Sequence, residues 1–231
     1  MFLNKKILCL IPARGGSKGI KLKNLKKINK KNLLQICINF AKSLKFLDKI
    51  IVSSDNKKIL EISKRFNVST KNRSKKLSKD FVSDYEVIKD IAKDHKYDYI
   101  LYLQPTSPFR KKKDFKTALK NLIKKKDHGI WSVTKVDKKF HPNKILFSKN
   151  KKHLQTYSQK GKKIVARQQL NDTFIRNGIF YFFSVKELLK QKTIYLKKTL
   201  FYQINYDYIN IDTFEDLRNS KLLAKKLKYK F

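Results

Sequence analysis

Cysteine is scarce in this chain, with two residues in 231, and long apolar runs are absent. Two thiols are too few for a disulfide framework, and Cys9 stands within an apolar run that is typical of a buried strand. That run, from Ile7 to Ile11, is too short for a secretory signal, and no other segment approaches the length of a membrane span. The sequence therefore predicts a soluble, cytoplasmic protein with no membrane partner.

Acidic residues are also scarce, with 18 Asp and Glu against 57 Lys and Arg, and the formal net charge is +39. A field of this size attracts polyanions, nucleic acids included. The lysines are nevertheless spread over the whole chain in short runs, and a compositional bias toward Lys, Asn and Ile accounts for them. We expect no specific nucleic-acid partner, and a basic nucleic-acid-binding protein is the alternative from another functional class.

Apolar residues are present in sufficient number for a core, since 41% of the chain is hydrophobic and 12% is aromatic. Strand-like apolar runs at 7–11, 49–55, 99–103 and 130–134 alternate with segments of helical periodicity. Further strands are predicted at 178–183 and 209–211, followed by a last helix. This alternation predicts a single domain over 1–231 with an α/β fold, a mainly parallel, doubly wound sheet and a site at the carboxyl ends of its strands.

The stretch 138–172 breaks this rhythm, because it is polar, rich in Lys and Gln, and has only short apolar runs. We interpret it as a candidate arm or insertion within the domain.

The loop after the first strand contains two cations, a hydroxyl and three glycines between Arg14 and Gly19. Backbone amides and cationic side chains of this kind suit the binding of phosphates. The order of residues matches neither the P-loop pattern nor the dinucleotide-binding pattern, so neither mechanism is implied. A Gly-rich turn in a Lys-rich protein is the alternative interpretation.

Several segments together resemble the bacterial acylneuraminate cytidylyltransferases, also called CMP-sialic acid synthetases. The first is Pro12-Ala-Arg-Gly-Gly-Ser-Lys-Gly-Ile20, followed by Leu22-Lys-Asn-Leu25. The others occur in the family's order and span nearly the whole chain: Ile51-Val-Ser-Ser-Asp55, Arg73 with Leu77 and Asp80, Leu103-Gln-Pro-Thr-Ser-Pro108 with Arg110, His141-Pro-x-Lys144, Arg167-Gln-Gln169, Asn177-Gly-x-x-Tyr181 and Ile211-Asp-Thr213.

The resemblance implies a Rossmann-like fold with an inserted dimerisation arm, and a homodimer that uses CTP, an acidic sugar and magnesium. It implies that the catalytic residues are Arg14, Lys18, Lys23 and Asp212, with Asp212 as the metal ligand. The implied nucleotide-binding residues are Arg14, Gly15, Gly16, Ser17, Lys18, Lys23, Asn24, Arg73 and Ser83. The implied sugar-binding residues are Gln104, Arg167, Gln168, Asn177 and Tyr181, and Lys144 and Arg167 would belong to the arm.

Three of these residues have a simpler alternative role. Asp212 precedes Glu215 by three residues, which is also a helix-capping pattern, and Ser83 fits the start of a helix in the same way. Tyr181 lies in an aromatic strand, where packing is the usual role.

Asn210 stands where relatives usually have the first Asp of an Asp-x-Asp pair. The number of metal ions is therefore open, and a non-catalytic relative is an alternative. The acceptor is also open among sialic, legionaminic, pseudaminic and 3-deoxy-octulosonic acids.

Overall fold

A computed structural model describes residues 1–93, 96–229 and 231, and within them strands and helices alternate. The helices are α1 (Leu33–Ser43), α2 (Lys57–Arg65), α3 (Asp84–Ala92), α4 (Lys112–Lys125), α5 (Val185–Gln191) and α6 (Phe214–Lys226). The strands are β1 (Ile7–Pro12), β2 (Lys27–Ile28), β3 (Lys31–Asn32), β4 (Lys49–Ser54), β5 (Ser69–Asn72), β6 (Tyr99–Tyr102), β7 (Gly129–Lys135), β8 (Leu146–Phe147), β9 (Gln155–Thr156), β10 (Phe174–Ser184) and β11 (Thr199–Gln203). Short 3₁₀ turns complete the connections.

Seven strands form the central sheet in the order β11-β7-β10-β6-β1-β4-β5. β1 pairs in parallel with both β4 and β6, β4 pairs in parallel with β5, and β10 pairs antiparallel with β6. The central strand β1 is buried from Ile7 to Ile11, as expected for a strand with neighbours on both sides and helices over its faces. The predicted α/β fold with a mainly parallel sheet is confirmed.

Each helix near the site begins at a polar residue that caps it. Asn32 forms a capping box with Gln35 at the start of α1, and Asn56 accepts from the Ile59 amide at the start of α2. Ser83 accepts from the Glu86 amide at the start of α3. These side chains satisfy backbone N–H groups that the helix cannot pair, which fixes where each loop at the sheet edge ends.

The strand predicted at 209–211 is wrong, because this segment has no strand pairing in the structure. Ile211 is fully buried in a core cluster with Ile20 and Phe109, and its amide donates to the Thr106 carbonyl. Its apolar character therefore reflects anchoring of a loop. The last strand of the sheet is instead β11, an edge strand that the pattern did not predict.

The chain divides into two compact units. Unit 1 comprises Met1–Ser132, Gly178–Tyr202 and Tyr206–Phe231, and it contains most of the sheet and all six helices. Unit 2 comprises Val133–Asn177 and Gln203–Asn205, and it contains the small hairpin of β8 and β9. The predicted arm, 138–172, falls inside unit 2, and its role in dimerisation stays a prediction.

Candidate active site

A cleft of about 480 Å³ opens in unit 1 at the carboxyl ends of β1 and β6, where the α/β topology places a ligand site. Twenty of the described residues line it, and eight of these were predicted from the sequence. These eight are Arg14, Ser17, Lys18, Lys23, Asn24, Arg73, Gln104 and Asp212. The structure thus brings together residues that are as far apart in the chain as Arg14 and Asp212.

Two hydrogen bonds to side chains hold the loop after β1. The Gly15 amide donates to Asp55 Oδ1 at 2.8 Å, and the buried Asn24 side chain donates to the Arg14 carbonyl at 3.0 Å. A Cβ atom at Gly15 would lie 2.8 Å from the Cβ of Asn56, so glycine lets the loop pack closely. Gly15 and Gly16 belong to this loop but do not line the cleft among the described residues.

Asp80 pairs with two cations of this loop. Its Oδ1 lies 2.8 Å from Arg14 Nη1 and its Oδ2 lies 3.0 Å from Lys18 Nζ. The hydrogen bond from Lys18, followed by that from Arg14, holds the pKa of Asp80 below its usual value. Asp80 therefore stays an anion at neutral pH, in contact with two predicted triphosphate-binding side chains.

Arg73 is buried at the wall of the cleft. Its Nε donates to Ser53 Oγ at 3.1 Å and its Nη2 donates to the Ser53 carbonyl at 2.7 Å. Burial lowers the pKa of the guanidinium, although an arginine remains charged under any physiological condition. The side chain is a rigid cation, fixed by its β4 neighbour.

Asp212 projects into the cleft beside Lys23. Its Oδ1 lies 2.7 Å from Lys23 Nζ, and its Oδ2 accepts from Asn210 Nδ2 at 3.4 Å. Asn210 Oδ1 in turn accepts from Ser107 Oγ at 3.2 Å. The alternative in which Asp212 caps the last helix is wrong, because Thr213 is the N-cap of α6 and forms a capping box with Asp216.

Gln104 lies two residues after β6, and the buried Arg110 holds its carbonyl through Nη2. Arg110 Nε also donates to the Ile179 carbonyl at 3.1 Å, which ties this turn to β10. Gly178 adopts φ +73°, and a Cβ atom there would lie 2.8 Å from Ser107 Oγ and 3.3 Å from Gln104 Oε1. The absence of a side chain at Gly178 therefore lets β10 pass close to the Gln104 side chain.

Six other predicted residues lie away from the described lining of the cleft. Ser83 is the N-cap of α3, and Tyr181 is buried in the core, where its hydroxyl accepts from the Gly178 amide at 3.0 Å. Lys144, Arg167, Gln168 and Asn177 belong to unit 2. The positions of these six residues do not test the roles that the family resemblance implies for them.

Sequence reasoning missed Asp84 and Tyr102, which both line the cleft. Tyr102 Oη donates to Asp84 Oδ1 at 2.7 Å. Tyr102 is the last residue of β6, so the rule that sites form at carboxyl ends of parallel strands would have indicated it. Asp84 carries no such signal, since an acidic residue in the first turn of a helix is common.

Within the described residues no cluster of three His, Cys, Asp or Glu side chains is arranged to hold a metal ion. A metal at Asp212 would therefore take part of its ligands from substrate and water. The same part of the chain has no helix that is long and apolar enough to cross a membrane.

Solved nucleotidyltransferases share this Rossmann-like fold. The structure of CMP:2-keto-3-deoxy-manno-octonic acid synthetase complexed with CTP matches with a TM-score of 0.72 and 14% identity, over 96% of this chain and 99% of that one. A cytidylyltransferase from Leptospira borgpetersenii matches with a TM-score of 0.62 and 17% identity, over 96% of this chain and 88% of that one. These likenesses confirm the Rossmann-like fold that the sequence predicts.

The particular family follows from sequence comparison. The family model described as Cytidylyltransferase matches residues 8–229, and the chain belongs to this family. It is 28% identical over 228 residues to pseudaminic acid cytidylyltransferase of Campylobacter jejuni. The alignment covers 95% of this chain and 97% of that protein. It is 30% identical over 224 residues to N-acylneuraminate cytidylyltransferase of Streptococcus agalactiae. This alignment covers 91% of this chain and 51% of that protein. The predicted family resemblance is confirmed.

Proposed function

We propose that the protein transfers CMP from CTP to a 2-keto-3-deoxy nonulosonic acid, giving a CMP-sugar and pyrophosphate. The observation that carries the proposal is the cleft in which Arg14, Lys18 and Lys23 face the same space as Asp212. Family membership and the names of two relatives, which act on pseudaminic and N-acylneuraminic acids, support the substrate class. Pseudaminic, sialic, legionaminic and 3-deoxy-octulosonic acids are the acceptors to compare.

The reaction forms a bond between the anomeric oxygen of the sugar and the α-phosphorus of CTP. The bond from that phosphorus to the bridging oxygen breaks, pyrophosphate leaves with the electron pair, and the hydroxyl proton passes to solvent. Charge builds up on the leaving group, so fixed cations accelerate the step. Arg14 and Lys18 on the loop would bind the triphosphate, and Lys23, whose side chain is 15% exposed, would hold a position near Asp212.

Magnesium is the proposed cofactor, and the residues fit it. Mg²⁺ is commonly held by one or two carboxylates together with substrate phosphates and water, and Asp212 is a 64% exposed carboxylate in the cleft. Asp212 would hold the ion, which when bound polarises phosphoryl oxygens. The amide of Asn210 donates to Asp212, so it would orient this carboxylate.

The acceptor would lie toward Gln104, and we propose that Arg167, Gln168, Asn177 and Tyr181 complete its site within a homodimer. Unit 2 exposes apolar side chains that a second copy would cover, since Val165 is 93% exposed, Leu154 is 69% exposed and Phe140 is 61% exposed. Apolar side chains exposed in this number within one small unit are typical of an interaction surface. Lys144 and Arg167, which lie in the same unit, would then serve the partner's cleft.

The test offers CTP, ATP, GTP and UTP in turn with magnesium and each of the four acids, and measures pyrophosphate release and the sugar nucleotide by mass spectrometry. We expect product with CTP and at least one nonulosonic acid. No product across the whole panel would overturn the proposal. Tight, strongly salt-dependent binding to random DNA without turnover would favour the nucleic-acid alternative.

A further inference from the structure

The cleft has two chemically different parts. The loop after β1 contributes the cations Arg14 and Lys18, which suit phosphates. Another part of the lining combines three aliphatic side chains with three polar ones: Leu77, Val82, Val87, Arg73, Asp84 and Tyr102. Aliphatic walls with a few placed hydrogen-bonding groups are the usual surroundings of a planar base, because they cover its faces and read its edge.

Asp84 is fixed as a hydrogen-bond acceptor in this second part. Tyr102 Oη donates to its Oδ1 at 2.7 Å. Burial, and next the neighbouring Asp84 charge, raise the pKa of Tyr102 well above its ordinary value, so the phenol keeps its proton. Asp84 is also the first residue of α3, so the helix fixes where its side chain begins.

The second oxygen of this carboxylate is available to a ligand. Among residues 1–93, 96–229 and 231, no donor is bonded to Asp84 Oδ2, and the side chain lines the cleft. Arg73 stands in the same lining with Nε and Nη2 engaged by Ser53, which leaves Nη1 as the nitrogen not bonded to that residue. The wall thus offers a fixed acceptor and a fixed cationic donor.

Cytosine and uracil differ in the group at position 4 of the ring. Cytosine presents an amino donor next to the N3 and O2 acceptors, whereas uracil presents the O4 acceptor next to an N3–H donor. An acceptor on the protein therefore favours cytosine and opposes uracil, and a cationic donor beside it favours the cytosine N3 and O2 atoms.

We propose that Asp84 is a specificity-determining residue that accepts a hydrogen bond from the exocyclic amino group of cytosine and so selects CTP over UTP, with Tyr102 as the residue that positions it. The inference rests on the proposed function, since it takes CTP as the donor. It adds Asp84, with Tyr102 as its positioning residue, to the nucleotide-binding residues, and the family resemblance indicated neither of these two.

Asp84→Asn is the direct test, because its amide oxygen can still accept from Tyr102 while its NH₂ group would face the base. We expect the ratio of kcat/KM for CTP to that for UTP to fall by about 100-fold, with part of the change arising from a gain toward UTP. Calorimetric binding of CTP and of UTP with magnesium should show the same shift in ratio. This binding ratio can be measured even if the enzyme converts none of the acceptors. A failure of the proposed function can therefore be distinguished from a failure of the proposed base specificity.

Asp90→Asn is the matched control, since Asp90 is on the same helix, pairs with Lys93 at 3.6 Å and does not line the cleft within the described chain. It should leave the ratio unchanged. Tyr102→Phe should lower the ratio partway, because the carboxylate loses its fixed orientation. Equal losses for CTP and UTP in Asp84→Asn, or a ratio within twofold of wild type in a variant with an unchanged melting curve, would overturn the proposal.

Discussion

Asp80 Oδ1 lies 2.8 Å from Arg14 Nη1, so a carboxylate occupies one of the positions at which a phosphate oxygen would meet the loop. Asp80 Oδ2 makes the same kind of contact with Lys18 at 3.0 Å. The two cations therefore share one carboxylate of the protein, and a triphosphate that binds them must replace or share this carboxylate.

Asp80→Asn is expected to tighten CTP binding by about 3- to 10-fold at low salt, because it removes the carboxylate that competes with the triphosphate for Arg14 and Lys18, and exposed ion pairs of this kind are individually weak. The gain should shrink as salt screens the loop. Calorimetric titration at two ionic strengths measures both effects. Asp90→Asn removes one charge elsewhere and is the control. Weaker binding in Asp80→Asn would instead show that Asp80 positions the two cations.

The strand-end rule predicts from the sequence where the cleft lies, because buried parallel strands such as β1 are continuous apolar runs and their carboxyl ends meet at one edge. The two missed strands of the central sheet, β5 and β11, are its edge strands, and neither has a buried residue. β5 has no apolar run, and the apolar run of β11 is limited to Leu200, Phe201 and Tyr202.

Contacts over long sequence distances were beyond the sequence alone. Arg14 and Asp80 are 66 residues apart, and no local pattern pairs them. The Asp212 alternative failed for a local reason, since Thr213 and Asp216 form the same capping pattern one residue later. The spacing identified a capping pattern at the start of α6, but it could not decide between Asp212 and Thr213 as the capping residue.

Gly19 and Gly16 make a matched pair for the loop. A Cβ atom at Gly19 would lie 2.5 Å from the Asp212 carbonyl oxygen, whereas one at Gly16 would meet nothing within 4 Å. Gly19→Ala should cost about 1–3 kcal/mol through overpacking and should displace Asp212. Gly16→Ala should leave the melting temperature nearly unchanged. Thermal melts and CTP kinetics on both variants check this, and equal melting temperatures would contradict the close packing.

The proposed arm predicts complementation between two inactive chains. Arg14→Ala is expected to disable the cleft of its own chain, and Arg167→Ala is expected to disable the partner's cleft. One site of a mixed dimer then keeps all its wild-type groups, so mixing the two should restore up to half of the wild-type activity per mixed dimer. Native mass spectrometry should confirm subunit exchange. No recovery after confirmed exchange would count against a shared site.

Asp212 and Asn210 can be separated by two substitutions. Asp212→Asn removes the one carboxylate of the pair, so activity should fall by about 100-fold or more and the magnesium concentration for half-maximal rate should rise. Stability should hardly change, because Thr213 caps α6 and the ion pair with Lys23 is largely exposed on the Asp212 side. Asp207→Asn, an exposed position outside the described lining, is the control.

Asn210→Asp should act in the opposite direction. Without magnesium, the second carboxylate would replace the amide that donates to Asp212 Oδ2 at 3.4 Å, so two like charges would meet and the melting temperature should fall. With magnesium, the added charge should tighten the apparent affinity for the ion and recover that loss. Melting curves and initial rates against magnesium concentration measure both. A melting temperature of Asn210→Asp that does not respond to magnesium, together with unchanged kinetics in Asp212→Asn, would end the assignment of the metal to Asp212.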